Sequence, residues 1–370
     1  MKIITRLSCQ AKPRKQRKQL MQSRIKSQQC GFSLIEVMIS SLLGIFLIAG
    51  ALSLYSSNKD SYRIQQAVSG TLKNSRFIIN RLERKISSAG YSGFYSGYIN
   101  GTENNLNTPA SPLWNIEIPV FGHNNVDSSS TIAGVTGIRD GTDVLILKSM
   151  TNESNLTTQA SSSSFTIDAA SGYSTGNIVI ATDIEKASIF QIDSADSATV
   201  VGETTVTLSV GTSAPAPGNA TLPTNLFDNT ATIGTLETLV YFLRTGTNGN
   251  TALFEGRLTT SSDQAAVTTA IEIIPNVENI QYIYGIDTDG NGSIDKYSDA
   301  STVSTAEWDQ VHTIGISLLL FSENNNITIN NNSYSFDSTH FTFTKDTTAS
   351  DSADKRQRQV FTTYVTLKNL

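Results

Sequence analysis

Gly31-Phe32-Ser33-Leu34-Ile35-Glu36-Val37-Met38 opens the part of the chain whose reading decides the fold. From Val37 to Asn58 follow 22 residues without a charge, among them Leu42-Leu43-Gly44-Ile45-Phe46-Leu47-Ile48. At ~1.5 Å of rise per residue, a helix over this run is long enough to cross a hydrocarbon core of ~30 Å. A secretory signal would carry a shorter apolar core and a small-residue cleavage site after it. Here the distinctive residues come first. An unpaired carboxylate inside an apolar helix is costly, so Glu36 points to a function of its own.

Charge is distributed unevenly on either side of this run. Residues 1–31 hold nine Lys/Arg and no Asp or Glu, whereas residues 91–370 hold eleven Lys/Arg against twenty-nine Asp/Glu, a balance of −18. A cationic stretch directly before an apolar helix is a topology signal that keeps the N-terminus cytoplasmic and sends the body across. The acidic body excludes a nucleic-acid partner bound through phosphates, which requires clustered cations. Both cysteines, Cys9 and Cys30, precede the apolar run. If that stretch is removed, no disulfide and no thiolate metal site remains.

The opening stretch resembles the signal of type IV prepilins. The resemblance implies that a prepilin peptidase cuts after Gly31 and methylates Phe32 as the new N-terminus. It also implies that Glu36, the fifth mature residue, pairs with the terminal amine of a neighbouring subunit as helices bundle. A leader of 31 residues is long for the family. Met21 offers a second start with 11 leader residues, still including Arg24 and Lys26.

Beyond the apolar run, Tyr55 to Ala89 contains no proline, and its only glycine is Gly70. Ile64, Val68, Leu72, Ile79, Leu82 and Ile86 recur at three, four or seven, predicting one apolar stripe on a continuing helix. Gly90 supplies a stop in the left-handed conformation. Lys59, Arg63, Lys73, Arg76, Arg81, Arg84 and Lys85 surround the stripe, against only Asp60 and Glu83. This basic face suits anionic headgroups, an acidic neighbour or plain solvent. One helix of roughly 55 residues from Phe32 is expected, with its amphipathic half laid on a sheet.

After Gly90, short β-type runs take over. Strands are expected at 143–148, 165–168, 177–182, 188–192, 200–210, 236–244, 271–274, 280–284, 313–321 and 360–367. Residues 151–164, 211–235 and 322–332 are expected as loops. Helix first and strands afterwards means an α+β protein with an antiparallel sheet. The expected organisation is a leader over 1–31, a transmembrane half-helix over 32–58, an amphipathic half-helix over 59–90 and a β-rich periplasmic or extracellular body over 91–370.

Several scattered patches resemble the PilW-type minor pilins. They are Arg76-Phe77, Ala89-Gly90-Tyr91-Ser92-Gly93, Gly141-Thr142-Asp143-Val144-Leu145, Tyr284-Gly285-Ile286-Asp287-Thr288-Asp289-Gly290 and the closing Val360-Phe361-Thr362-Thr363. Many members of that family have a cysteine where Phe94 stands, so any disulfide of the family is absent here. The resemblance implies a pilin-like fold and a minor pilin that primes pilus assembly in an initiation or tip complex. Implied partners are other minor pilins, the major pilin, the prepilin peptidase, the inner-membrane assembly platform and a tip adhesin. The implied location is the inner membrane and then the pilus, with adhesion and twitching motility as the associated roles. A minor pseudopilin of a type II secretion system shares the N-terminal signal. A membrane-anchored binding domain that never enters a filament is a further alternative.

The site-like constellation of the body is Asp287, Asp289, Asn291, Ser293 and Asp295, with Gly292 at the sixth place. Oxygen ligands at places one, three, five and nine, with the Ser293 carbonyl at seven, match the start of a calcium loop. The twelfth place is Ser298 rather than a bidentate glutamate. A tight hairpin turn, for which Asp-Gly and Asn-Gly are strong signals, is the competing reading. Either way the loop joins two strands. For catalysis the inventory is thin: His123, His312 and His340 form no close sequence pair, and no nucleophile elbow or P-loop occurs. No enzyme is expected. Tyr91, Phe94, Tyr95 and Tyr98 are expected to cover the sheet, and Lys355-Arg356-Gln357-Arg358 to be a solvated start of a strand, with partner docking as the other option.

Overall fold

The structure is a computed structural model, and it describes residues 31–93, 102–168, 172–200, 203–212, 217–260, 265–325, 327, 334–335, 344–345 and 355–369. Two compact units divide the chain, Met1–Asn58 and Lys59–Leu370. The helix α1 spans Leu34–Ser87, 54 residues without a break. In the first unit its apolar window is wholly unburied, and the helix is long and apolar enough to cross a membrane.

In the second unit the helix buries Thr71, Ser75, Ile78, Leu82 and Ile86. The buried stripe is therefore rotated from the one expected. Leu82 and Ile86 belong to it, but Ile64 stays 42% exposed and Ile78 replaces Ile79 at the centre. The polar members are admitted because each hydroxyl is satisfied on its own helix. Thr71 Oγ1 donates to the Val68 carbonyl and Ser75 Oγ to that of Leu72, both at 2.9 Å. Ile78, Leu82 and Ile86 supply the apolar drive, each stabilising by ~1.5–3 kcal/mol when fully buried. The helix ends as expected at Gly90, whose φ is +81°. The Asn369 amide donates to the carbonyls of Ser87 and Ala89, at 3.2 and 3.4 Å, covering groups the helix end leaves unpaired.

Strands follow in the order β1 Thr102–Asn104, β2 Val120–Val126, β3 Thr142–Ser161, β4 Ser164–Asp168, β5 Ile178–Thr182 and β6 Ala187–Gln191. Then come β7 Ser194–Val200, β8 Glu203–Ser209, β9 Thr232–Thr245, β10 Thr251–Thr260, β11 Ala265–Pro275, β12 Val277–Ile286 and β13 Lys296–Ser298. A 3-10 turn at Thr305–Gln310 precedes β14 Val311–Phe321, the short pair β15 Tyr334–Ser335 and β16 Thr344–Lys345, and the closing β17 Arg358–Thr366. One 11-stranded sheet runs β1-β6-β5-β9-β3-β4-β8-β7, with β10 beside β9, β11 beside β10 and β2 beside β3. A 4-stranded sheet runs β13-β12-β14-β17. Pairing is antiparallel except between β1 and β6. The fold is α+β, a long apolar helix followed by a large antiparallel β body, as expected.

The main core joins helix and both sheets. Ile78, Leu82 and Ile86 share one cluster with Leu145, Leu147, Leu239 and Leu243 of the large sheet and with Ile280, Tyr282, Ile314, Ile316 and Val365 of the small one. A second cluster, with Phe165 stacked on Phe190 at 4.7 Å, lies under β4, β5, β6 and β8.

Three strand expectations need correction. Residues 151–164, expected as a loop, continue β3 and turn into β4, because Thr151–Asn155 pair with β9 and Leu156–Ser161 with β4. Of the expected loop 211–235, the end is a strand, since β9 begins at Thr232. Strands β2 and β10 were not expected at all. The Gly-His-Asn-Asn of β2 and the Glu-Gly-Arg of β10 look like turn and surface residues, yet both strands are held by neighbours on the large sheet.

Candidate functional site

The helix presents its opening residues freely. Phe32 is 81% exposed, and Gly31 and Glu36 are exposed with it. Just before the helix, the Ser33 carbonyl accepts the backbone N–H of both Glu36 and Val37. Glu36 thus sits in the first turn, where a carboxylate also suits the positive end of the helix dipole. Beyond it Leu42, Leu43, Phe46, Leu47 and Leu54 are all more than half exposed. A face this apolar is compatible with lipid or with other apolar helices, and with water only at great cost.

The cationic half of α1 splits into two sets. Arg81 forms a forked pair with Glu255 of β10, Nε at 3.0 Å and Nη2 at 2.9 Å, and the Tyr241 hydroxyl donates to the same carboxylate at 2.6 Å. Lys85 donates to Glu237 of β9 at 3.3 Å, and Arg257 pairs with the other oxygen of Glu237. Burial works to raise the Glu255 pKa, but the hydrogen bonds from Arg81 and Tyr241 outweigh it and hold it below the usual carboxylate range. The Glu255 hydrogen bond in turn raises Arg81, while burial raises Tyr241. These two cations fasten the helix to the sheet. Lys73, Arg76 and Arg84 lie outside this set, with exposed side chains.

The loop after β12 brings the expected acidic residues together. Carboxylate oxygens of Asp287, Asp289 and Asp295 lie within 4.8 Å of one another. Asp287 is 2% exposed, and the backbone N–H groups of Gly290 and Asn291 donate to its Oδ1, that of Gly292 to its Oδ2. Asp295 accepts from the N–H and hydroxyl of Thr288, which hold its pKa low. Asn291 bridges inward, donating to Asp289 Oδ2 at 2.8 Å and accepting the Ser293 N–H at 2.8 Å. The loop joins β12 to β13, with Ile286 opposite Lys296. The donor set is all oxygen, which suits a hard cation such as calcium.

Other expected candidates resolve without catalysis. His123 lies on β2, its ring against Phe121 at 5.3 Å, and burial lowers its pKa. His312 lies on β14, its Nδ1 3.1 Å from the Gln310 carbonyl. Tyr91 packs on the core cluster around Met150, whereas Phe94, Tyr95, Tyr98 and His340 lie outside the described residues. The basic run at 355–358 is not a solvated strand start. Arg358 is buried against Glu278, and Arg356 lies over Phe321 at 4.9 Å and donates to Asn250. Glu278 had been invisible as its partner because 80 residues separate them.

Sequence reasoning also missed Asp143 as a buried carboxylate. It accepts the N–H of Asn125 and of Tyr282, so it ties β2, β3 and β12 together, and burial pushes its pKa up to about 7. Lys148, fully buried, donates to the Pro112 carbonyl, and burial pulls its pKa down to about 7.

Residues 26–52 match the family profile described as the prokaryotic N-terminal methylation motif. Residues 240–369 match that described as type IV pilus-assembly protein W. No curated protein and no solved structure matches the chain. A methylation signal on an exposed apolar helix, followed by a β-rich body, defines a type IV pilin. Within that class the chain is a pilin of the PilW type, its matched segment running from β9 through β17.

Proposed function

We propose that this pilin is a minor subunit that primes type IV pilus assembly, as part of an initiation or tip complex. The observation that carries the reading is the unburied apolar half of α1 with Glu36 in its first turn. In this proposal the leader 1–31 stays cytoplasmic, the peptidase cuts after Gly31, and Phe32 is methylated. The helix 32–58 then remains in the inner membrane while the body lies in the periplasm, which the nine cations of the leader favour. Glu36 pairs with the terminal amine of a neighbour, because a carboxylate in an apolar bundle needs a cation. Its partners are other minor pilins, the major pilin and the inner-membrane platform, with a tip adhesin as a further member of the complex.

The acidic loop holds a calcium ion in the same proposal, through Asp287, Asp289, Asn291, the Ser293 carbonyl and Asp295. The convergence of three carboxylates supports this reading. The ion would brace the turn between β12 and β13.

The test of the function is the N-terminus of the membrane-extracted protein, made in cells with an active prepilin peptidase and sized by mass spectrometry. A chain beginning at methylated Phe32 is the expected result. An intact Gly31–Phe32 bond, with the peptidase active on a control prepilin, would make the protein an anchored domain outside any filament.

A further inference from the structure

The face of α1 opposite its buried stripe carries a second pattern. Lys59, Tyr62, Gln66, Lys73, Arg76, Phe77, Asn80 and Arg84 are all exposed, and they recur at three, four and seven residues along the helix. Such spacing places them on one side, roughly opposite Ile78, Leu82 and Ile86. Phe77 is 50% exposed and Tyr62 66%. One acidic residue adjoins them, Glu83, exposed three residues after Asn80 and seven after Arg76, so the row keeps four cations, Lys59, Lys73, Arg76 and Arg84, against one carboxylate. Arg81 and Lys85, one turn away, turn inward to Glu255 and Glu237. The cations of this helix are thus divided, and the outward ones alternate with exposed aromatics.

Aromatic residues and arginine are the side chains enriched in protein interfaces, and exposed apolar rings within a row of cations are costly to leave in water. Lipid headgroups do not account for the whole row. Lys73 lies 15 residues beyond Asn58, the last residue of the uncharged run, or ~22 Å along the helix axis, and Arg84 lies farther still. The headgroup zone adds only ~5–8 Å on each side of the hydrocarbon. Charge points to the occupant. Residues 91–370 of this pilin carry twenty-nine Asp/Glu against eleven Lys/Arg. The positive surplus of the mature chain lies in its helix.

We infer that the row Lys59, Tyr62, Lys73, Arg76, Phe77 and Arg84 is a docking surface for the carboxylate-rich globular body of an adjacent pilin subunit. The inference rests on the pilin reading and adds to it which face of the helix meets which surface of the neighbour. Row and acidic body are different surfaces, so the contact is heterologous and does not close on itself, which is what an open-ended assembly requires. Cations steer the approach, and the two rings supply the desolvated contact.

The experiment places a photoreactive benzoyl-phenylalanine at Phe77 in the full-length protein, in cells that assemble pili, and maps the product by mass spectrometry. The expected product joins position 77 to an Asp/Glu-bearing segment of another pilin's body. Arg76→Glu with Arg84→Glu should lower its yield about tenfold, the combined effect of losing two exposed charge pairs and adding repulsion. Arg76→Lys with Arg84→Lys should largely keep it, which separates loss of charge from loss of fold. Adducts to lipid alone, no product, or a yield insensitive to charge reversal would overturn the inference. The N-terminus of the same sample distinguishes the two claims: methylated Phe32 with a lipid-only adduct sinks the docking surface alone, and an unprocessed Gly31 sinks the pilin reading beneath it.

Discussion

Arg81 and Glu255 are joined by two hydrogen bonds of 3.0 and 2.9 Å, across 174 residues of sequence. The pair clamps the last third of α1 to β10, and Tyr241 of β9 completes it. Glu255→Gln should lower stability by ~1–2 kcal/mol, less than a fully buried pair because Arg81 is partly solvated. The lowered pKa of Glu255 means its contribution is complete above the ordinary carboxylate range and is lost as pH falls through the folded value. A thermal melt series in detergent should therefore show a shallower acid limb in Glu255→Gln than in the parent protein. Identical limbs would remove the clamp from the acid response.

Asp143 shows the opposite sign. Its pKa is raised by burial to about 7, so the folded state binds a proton that the unfolded state releases near ~4. This contribution is full at low pH and declines as pH rises toward 7. Tyr282, Tyr284 and Asp299 surround the carboxyl and offer no cation. Asp143→Asn should flatten the loss of melting temperature between pH 5 and 7, measured in the same detergent series as an order-of-magnitude window.

Gly122 faces Tyr284, and a Cβ at position 122 would lie 1.9 Å from the tyrosine Oη. That hydroxyl is buried without a hydrogen-bond partner. Gly122→Ala should destabilise by ~1–3 kcal/mol through overpacking. Tyr284→Phe alone should be close to neutral, because an unpaired buried hydroxyl gains nothing. The double variant should recover part of the loss, because the Tyr284 Cζ would still lie 2.7 Å from the added Cβ, and a denaturation cycle with no coupling between the two would contradict the contact.

Calcium should raise the melting temperature of the parent protein and leave Asp287→Ala with Asp289→Ala unchanged. In the absence of calcium the double variant should still lose stability, since Asp287 accepts three backbone N–H groups of its own loop. A parent protein insensitive to millimolar calcium would reduce the loop to a turn.

Glu36→Val should leave the protein inserted and processed yet reduce piliation, counted by electron microscopy against the parent strain. Normal pilus number would show that no subunit pairing depends on this carboxylate.

Which parts of this protein could be read without its structure follows from the range of the forces involved. The helix, its stop at Gly90 and the anchor are local: periodicity, missing proline and absent charge act within a few residues. Strands such as β5, β12 and β14 were legible because they are rich in β-branched and aromatic residues and are buried along nearly their whole length. The acidic loop was legible because its ligands lie within nine consecutive residues. By contrast, β2, β10 and the polar half of β3 owe their extended form to partner strands, and their own residues argue for turns. The buried stripe of α1 rotated because Thr71 and Ser75 could satisfy themselves on the helix, a trade hidden from apolar spacing.

The sequence by itself determined the anchor, its signal, the α+β class and the segregation of charge, because each is written in contiguous residues. Only the tertiary structure decided which cations are spent. Arg81, Lys85 and Arg358 look like any surface cation in the chain, yet each meets a carboxylate more than 75 residues away. Coulomb attraction acts on distance in space, and that distance is set by the sheets that bring β9, β10 and β12 to their partners.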